Sequence, residues 1–204
     1  MAFPDPELVS SDEFLGWIST QQDRFELVDG HIVRMMAGAK QSHNVVAANI
    51  LAALLPQARR GGCRTTASDT AVRTGPGSIR YPDVVVDCAA SDPNAVEALR
   101  PTLVVEVASP GTSAMDATDK LDEYRAHSAV SLILLVDPDL VSAKLYRRDG
   151  GGFWQVEKYD GLDQAIALPE IGSVLALGDI YASLEPGLRP RLRLVESGAP
   201  GDLR

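Results

Sequence analysis

A mixed α/β domain, built on a central sheet with helices on its flanks, is what this sequence predicts, on three observations. Residues 103–107, Leu-Val-Val-Glu-Val, are nearly all apolar, the pattern of a strand covered on both faces. Residues 42–60 place Val45, Val46, Asn49, Ile50, Leu54 and Leu55 at helical spacing among many alanines. Asp29-Gly30 and Asp149-Gly150-Gly151-Gly152 each separate two strand-like segments, the signature of hairpins. The class is therefore mixed α+β: a central mixed sheet flanked by helices, with antiparallel hairpin extensions.

In order along the chain, residues 1–10 are Pro-rich at their start and read as an N-terminal arm. Ser10-Ser11-Asp12-Glu13 is helix-start chemistry, a hydroxyl cap with acids in the first turn, and Phe14, Leu15, Trp17 and Ile18 give the short helix an apolar stripe. Residues 24–36 read as a hairpin about Asp29-Gly30. In its first strand Glu26 points away from Phe25 and Leu27, toward solvent or a cleft, and alternation leaves both open. The long helix over 42–60 has Ser42 as its expected cap, Pro56 as an awkward residue near its end and Gly61-Gly62 as its stop. Residues 64–73 and 80–86 each read as one strand, with Pro82 at a strand start or edge. Residues 87–100 are a polar connection with room for a short helical piece. Strand 103–107, a helix over 114–127, a buried strand over 131–136, a hairpin over 144–159, a short strand at 166–168 and a last short helix at 179–182 follow. Periodicity is lost after Glu185. A single domain over 11–185 with a tail over 186–204 is expected.

With 204 residues the chain can bury a core without staples. Aromatics are only 5% of it, so that core is left to Val, Leu, Ile and Ala. The formal net charge of -9 offers no general field for nucleic acid, which weighs against a non-specific coat protein. It weighs less against a nuclease, which needs only a local basic rim and a metal. Cys63 and Cys88 lack the paired spacing of zinc or redox motifs and read as two reduced, partly buried thiols. With no secretory signal and no apolar run near the ~20 residues of a membrane span, a cytoplasmic location away from membranes is the expectation.

The chemistry concentrates in residues 80–120. Asp83 and Glu106 each sit in a valine-rich strand, where a carboxylate is costly to bury unless a cation or a hydrogen-bond network receives it. If the two strands pair side by side, both acids and the carbonyl of Val107 supply the hard oxygen ligands that Mg²⁺ or Mn²⁺ prefers. Lys120 could reach that site from the following helix, with Tyr124 one turn further on the same face. Each residue has a plainer reading. Asp83 would satisfy turn amides after Pro82; Glu106 would pair with Arg80 or Arg125; Lys120 would be a solvated helix residue near Glu123 or Asp116. His43, at the start of the long helix, is more often a cap-region side chain than a ligand, and His31 and His127 form no cluster with it.

Phe25-Glu26-Leu27-Val28-Asp29-Gly30 resembles the Tyr-Glu-Leu-Ile-Asp-Gly hairpin of the bacterial Uma-type "putative restriction endonuclease" family. The likeness continues in order through His43, Pro82-Asp83, Glu106-Val107 with Ser109-Pro110, Lys120 and Tyr124, and Leu135-Val136-Asp137-Pro138, over roughly residues 11–185. The resemblance implies a restriction-endonuclease-like fold of the PD-(D/E)XK superfamily. It implies Asp83 and Glu106 as metal ligands, Lys120 as the catalytic lysine, and Glu26 as an additional acid from the N-terminal region. The pattern differs at three places. Ala108 stands where the superfamily's lysine usually follows the glutamate by two residues, Gly111 where the family often has serine, and Leu132-Ile133 where an aromatic pair is common.

The expectation is a Mg²⁺- or Mn²⁺-dependent endonuclease with DNA as substrate, its catalytic set Glu26, Asp83, Glu106 and Lys120 and its accessory residues His43 and Tyr124. A homodimer is plausible because cutting both strands favours two-fold symmetry. The rival is a catalytically inactive nuclease-like scaffold that binds nucleic acid or a partner protein. A basic rim of Arg24, Lys40, Arg73, Arg80 and Arg125 would argue against it.

Overall fold

Helix α1, Ser11–Ile18, starts where the sequence places it. The Ser10 hydroxyl accepts the Glu13 N–H at 3.3 Å and the Glu13 carboxylate accepts the Ser10 N–H at 2.9 Å, a reciprocal cap. These positions come from a computed structural model that describes residues 8–35, 38–109 and 114–188. Residues 1–7 of the expected arm, Pro110 and Gly111 of the loop after β7, and residues 189–204 of the expected tail lie outside the described residues.

Strands β1, Phe25–Val28, and β2, His31–Arg34, pair antiparallel about Asp29 (φ 48°) and Gly30 (φ 81°). Two successive left-handed residues make the turn whose twist matches the flanking strands. Helix α2, Gln41–Arg60, buries Val46, Ile50, Leu54 and Ala58, a stripe spaced by four residues. Its cap position is Lys40, which makes no side-chain cap bond. Ser42, the expected cap, instead donates to Asp139 at 3.2 Å. Pro56 stays inside the helix.

Two segments expected as single strands are each two. Residues 64–73 divide into β3, Arg64–Ala67, and β4, Val72–Gly75. Residues 80–86 divide between β5, Ser78–Arg80, and β6, Val84–Asp87. Tyr81, Pro82 and Asp83 lie between β5 and β6. Pro82 has no N–H to give a ladder, and there the chain leaves one sheet and enters another. The remaining strands are β7, Pro101–Val107; β8, Leu132–Asp137; β9, Ser142–Arg148; β10, Trp154–Tyr159; β11, Ala165–Leu168; and β12, Ser173–Ala176. Helices α3, Ala114–Ala126, and α4, Leu177–Ile180, complete the elements.

The larger sheet has six strands in the order β10-β9-β8-β7-β6-β3, mixed because only β7 and β8 run parallel. A four-stranded sheet, β2-β1-β5-β4, carries the N-terminal hairpin, and β11 pairs with β12. One face of the large sheet (Val84, Val86, Leu103, Val105, Val107, Leu134) packs on the buried stripe of α2. The other face (Val85, Val104, Ile133) packs on Tyr124 of α3. Phe14 of α1 packs on Leu27 and Ile79 of the small sheet. Leu132 and Ile133, which stand where the resemblance expects an aromatic pair, are both fully buried.

Residues 87–100 contain no helix. Asp87 organises them instead: its buried carboxylate accepts the N–H groups of Ala89, Leu99 and Arg100 at 2.9, 3.2 and 3.0 Å and the Arg64 guanidinium at 2.9 Å. The expectation of two reduced thiols is also corrected, because Cys63 and Cys88 form a disulfide with Cα atoms 4.2 Å apart. The antiparallel register pairs Arg64 with Asp87, so the next residues outward meet. A separation of 25 residues gives no hint of this; the long-range strand pairing creates it. Gly187 donates to the Asp139 carbonyl and accepts from Val141, at 2.9 and 2.8 Å. No helix among the described residues is long and apolar enough to cross a membrane.

Candidate functional site

Strand pairing brings Asp83 and Glu106 together. Strands β6 and β7 are antiparallel, with Val84 opposite Val105 and Val85 opposite Val104. Asp83 therefore lies just beyond the end of β6, beside Glu106. Residues alternate between faces. Glu106 shares the face of Val104, toward α3. The Asp83 carboxylate accepts the Val107 N–H at 2.8 Å, and its Oδ2 lies 3.4 Å from His43 Nε2. His43 stands in the first turn of α2, where its pKa is raised by the hydrogen bond to Asp83, with the Val107 carbonyl adding to the effect.

Glu106 accepts a hydrogen bond from Tyr124 Oη at 2.7 Å, and Lys120 Nζ lies 4.0 Å from its carboxylate. Burial pushes the Glu106 carboxyl up to about 7. The charges of Asp83 and Glu26 raise it further, while Lys120 and Tyr124 oppose the rise. Neither Arg80 nor Arg125 is its partner. Arg125 pairs with Asp122 at 3.7 Å and stacks over the Tyr146 ring at 4.8 Å.

The open orientation of Glu26 resolves as burial rather than solvent. Leu27 faces α1, whereas Glu26 turns to the opposite face of β1 and is buried. Its carboxylate accepts from Arg80 Nη1 at 3.1 Å, the Tyr81 N–H at 3.3 Å and Lys120 Nζ at 3.0 Å. Lys120 is thus no solvated helix residue: 13% of its side chain is exposed and it stands between two carboxylates. Lys120 and Tyr124, one helical turn apart on α3, reach Glu26 and Glu106, so this helix joins both sheets.

Arg80 and Glu123 belong to the same cluster; the sequence offered Arg80 as a rim cation or a partner of Glu106 and Glu123 as a neighbour of Lys120, but not their pairing with each other. Arg80, 1% exposed, is gripped by Glu123 at 2.9 and 2.5 Å, and Thr74 Oγ1 gives Glu123 a further bond at 2.6 Å. Burial disfavours the Arg80 charge, yet Glu123 and Glu26 together raise its pKa. The one available signal was the i+3 spacing of Glu123 from Lys120, which puts both on one helix face. The other positions expected as a basic rim also face acids. Arg24 lies 3.5 Å from Asp69, Lys40 2.7 Å from Asp139, and Arg73 2.8 and 3.0 Å from Asp12 and Glu97.

Among the described residues, no three His, Cys, Asp or Glu side chains converge on a common metal position. The acids are turned to protein donors instead: Asp83 to Val107 and His43, Glu26 to Arg80 and Lys120, Glu106 to Tyr124. The donor set nevertheless fits a hard divalent cation. It consists of carboxylate oxygens at adjoining strand ends with a backbone carbonyl beside them. Burial raises the Glu106 carboxyl first, and the nearby charges of Asp83 and Glu26 add to that rise against the opposing charge of Lys120.

A family model described as "Uma2: Putative restriction endonuclease" matches residues 11–178. The chain is 31% identical over 183 residues to the uncharacterized protein slr1290 of Synechocystis sp. (strain ATCC 27184 / PCC 6803 / Kazusa), covering 89% of this chain and 95% of that one. Its fold is similar to the crystal structure of a putative nuclease belonging to DUF820 from Anabaena variabilis ATCC 29413. The TM-score is 0.68 at 19% identity, over 85% of this chain and 98% of the other.

Proposed function

This chain belongs to the Uma2 family, described as putative restriction endonucleases, and from that premise we propose that it is a metal-dependent endonuclease hydrolysing DNA phosphodiester bonds. The observation that carries the reading is the meeting of Asp83 and Glu106 at adjoining ends of paired strands, with Lys120 Nζ 4.0 Å from Glu106. Asp83, Glu106 and the Val107 carbonyl would hold Mg²⁺ or Mn²⁺. Such an ion, when bound, supplies Lewis-acid polarisation of the phosphate and a more acidic water.

The residues of the chain do the rest. Lys120 brings a positive charge against the phosphate where negative charge develops in the transition state. Glu26 holds that ammonium from behind, at 3.0 Å. Tyr124 orients Glu106, and His43 and the Val107 N–H orient Asp83. The proposal includes one nuclease-like domain over residues 11–185, a homodimer cutting the two strands by two-fold symmetry, and a cytoplasmic setting. In that setting the Cys63–Cys88 bond meets a reducing milieu, so the thiol state of protein taken from intact cells tests the location.

One observation favours an inactive scaffold that binds nucleic acid or a partner protein: Arg24, Lys40, Arg73 and Arg125 all face carboxylates. A cleavage assay separates the two readings. Plasmid and single-stranded DNA are incubated with Mg²⁺ or Mn²⁺ and wild type, Asp83→Ala or Lys120→Ala. The proposed function expects cleavage by the wild type and its loss in both variants. DNA binding without cleavage supports the scaffold, and cleavage that survives both substitutions arises elsewhere.

A further inference from the structure

The acid donated by β1 is held from two sides. Glu26 Oε2 takes Arg80 Nη1, while Oε1 takes both the Tyr81 N–H and Lys120 Nζ. An ionised carboxylate has about four acceptor positions, so three donors nearly fill it. Arg80 is in turn gripped fork-to-fork by Glu123, whose Oε2 also takes the Thr74 hydroxyl. A bidentate guanidinium–carboxylate pair fixes direction as well as distance, which a lysine in the same place would not do. Buried ion pairs add little to stability over apolar side chains of similar size. A four-member run of alternating charge, Glu123–Arg80–Glu26–Lys120, is therefore better explained by what it places than by what it stabilises. What it places is Lys120. Glu123 and Lys120 sit three residues apart on one face of α3, so the helix is fixed by the first and presents the second.

We infer that Arg80 and Glu123 are positioning residues of the proposed phosphodiester-cleaving site, acting through Glu26 to set the Lys120 ammonium beside Glu106, and that Glu26 serves the lysine rather than the divalent cation. The inference rests on the reading of the site given above. It divides the acids into two groups with different duties: Asp83 and Glu106 for the cation, Glu26 and Glu123 for the lysine.

The test is plasmid cleavage titrated with Mn²⁺ for wild type, Glu123→Gln, Glu26→Gln and Asp83→Asn, with a thermal melt of each. Misplacing a catalytic group by about 1 Å costs about 10- to 100-fold in rate. Glu123→Gln and Glu26→Gln are expected to lose kcat on that scale, with KM for DNA and the half-saturating Mn²⁺ concentration unchanged. Asp83→Asn is expected to raise the Mn²⁺ requirement. The inference is overturned if Glu123→Gln keeps wild-type kcat, or if Glu123→Gln or Glu26→Gln shifts the Mn²⁺ requirement as Asp83→Asn does. Should Glu123→Gln fail to melt cooperatively, Thr74→Val removes only the outermost bond; it is expected to show the same split with a smaller loss, and an unchanged kcat overturns the inference. A wild type that does not cleave at all overturns the proposed function and this inference with it, an outcome read before any variant is compared.

Discussion

Tyr124 Oη donates a 2.7 Å hydrogen bond to Glu106 Oε1, tying helix α3 to the middle of the large sheet. Both groups are shifted by their shared burial. The Glu106 carboxyl is pushed up to about 7 and the Tyr124 hydroxyl well above its ordinary value. The bond favours the charged carboxylate, so its loss leaves burial less opposed.

Tyr124→Phe is therefore expected to move the acidic limb of the cleavage pH profile to higher pH and to cost about 1 kcal/mol of stability. Rate–pH profiles of the two proteins, with urea melts at pH 8, measure both effects. An acidic limb that stays in place would show that Glu106 does not govern it.

The same shift predicts how stability varies with pH. Glu106 has its pKa raised from an ordinary 4.5 to about 7. Between those values the native state binds more protons than the unfolded state, so stability falls as pH rises through that window. Glu106→Gln removes the titration and keeps the shape. In chelator, the variant is expected to match the wild type near pH 4.5 and to exceed it by on the order of 2 kcal/mol at pH 8. Denaturant melts at the two pH values check the sign, and a variant weaker at pH 8 contradicts it.

The disulfide closes a sequence separation of 25 residues. Chain-entropy arguments give such a crosslink about 3 kcal/mol. Cys63→Ala/Cys88→Ala, or wild type in reductant, is expected to lose stability on that scale. Alkylation of the unfolded, unreduced wild type is expected to label neither cysteine, whereas two labels per chain would mean the bond does not form.

Tyr181 closes the turn between β8 and β9. Its hydroxyl lies 2.8, 2.9 and 3.2 Å from the carbonyls of Asp137, Leu140 and Ser142, and accepts the Ser142 N–H at 3.0 Å. Tyr181→Phe leaves a buried N–H unpaired, at a cost of about 1–3 kcal/mol. A thermal or urea melt of the variant is the check, and a change below about 0.5 kcal/mol would mean that water replaces the hydroxyl.

How far the sequence could be read depended on the range of the interaction. Local signals worked: the Ser10–Glu13 cap, the Asp29-Gly30 turn and the stripe of α2 each depend on neighbours within a few residues. The covered-strand pattern at 103–107 also worked, because burial on both faces leaves its mark on every position. Strand boundaries failed where the chain changes sheets. Residues 64–73 and 80–86 look continuous in composition, and only the pairing partners show the break. The site divided in the same way. Asp83 and Glu106 stood out as acids in apolar strands, and Lys120 came from the family likeness. Arg80 read as a rim cation or a partner of Glu106 and Glu123 as a neighbour of Lys120, and their pairing with each other stayed hidden because they stand 43 positions apart in sequence.

Tyr81, Pro82 and Asp83 carry the chain from the small sheet to the large one, and among the described residues the two sheets share no ladder. Glu26 belongs to one and Glu106 to the other, with Lys120 spanning the seam. The lysine thus acts as a gauge of alignment. A slip of one sheet past the other by a fraction of an ångström changes its two carboxylate distances before any strand pair is broken. A load applied to the β1–β2 hairpin, far from Glu106, would then reach Lys120 as shear between the sheets.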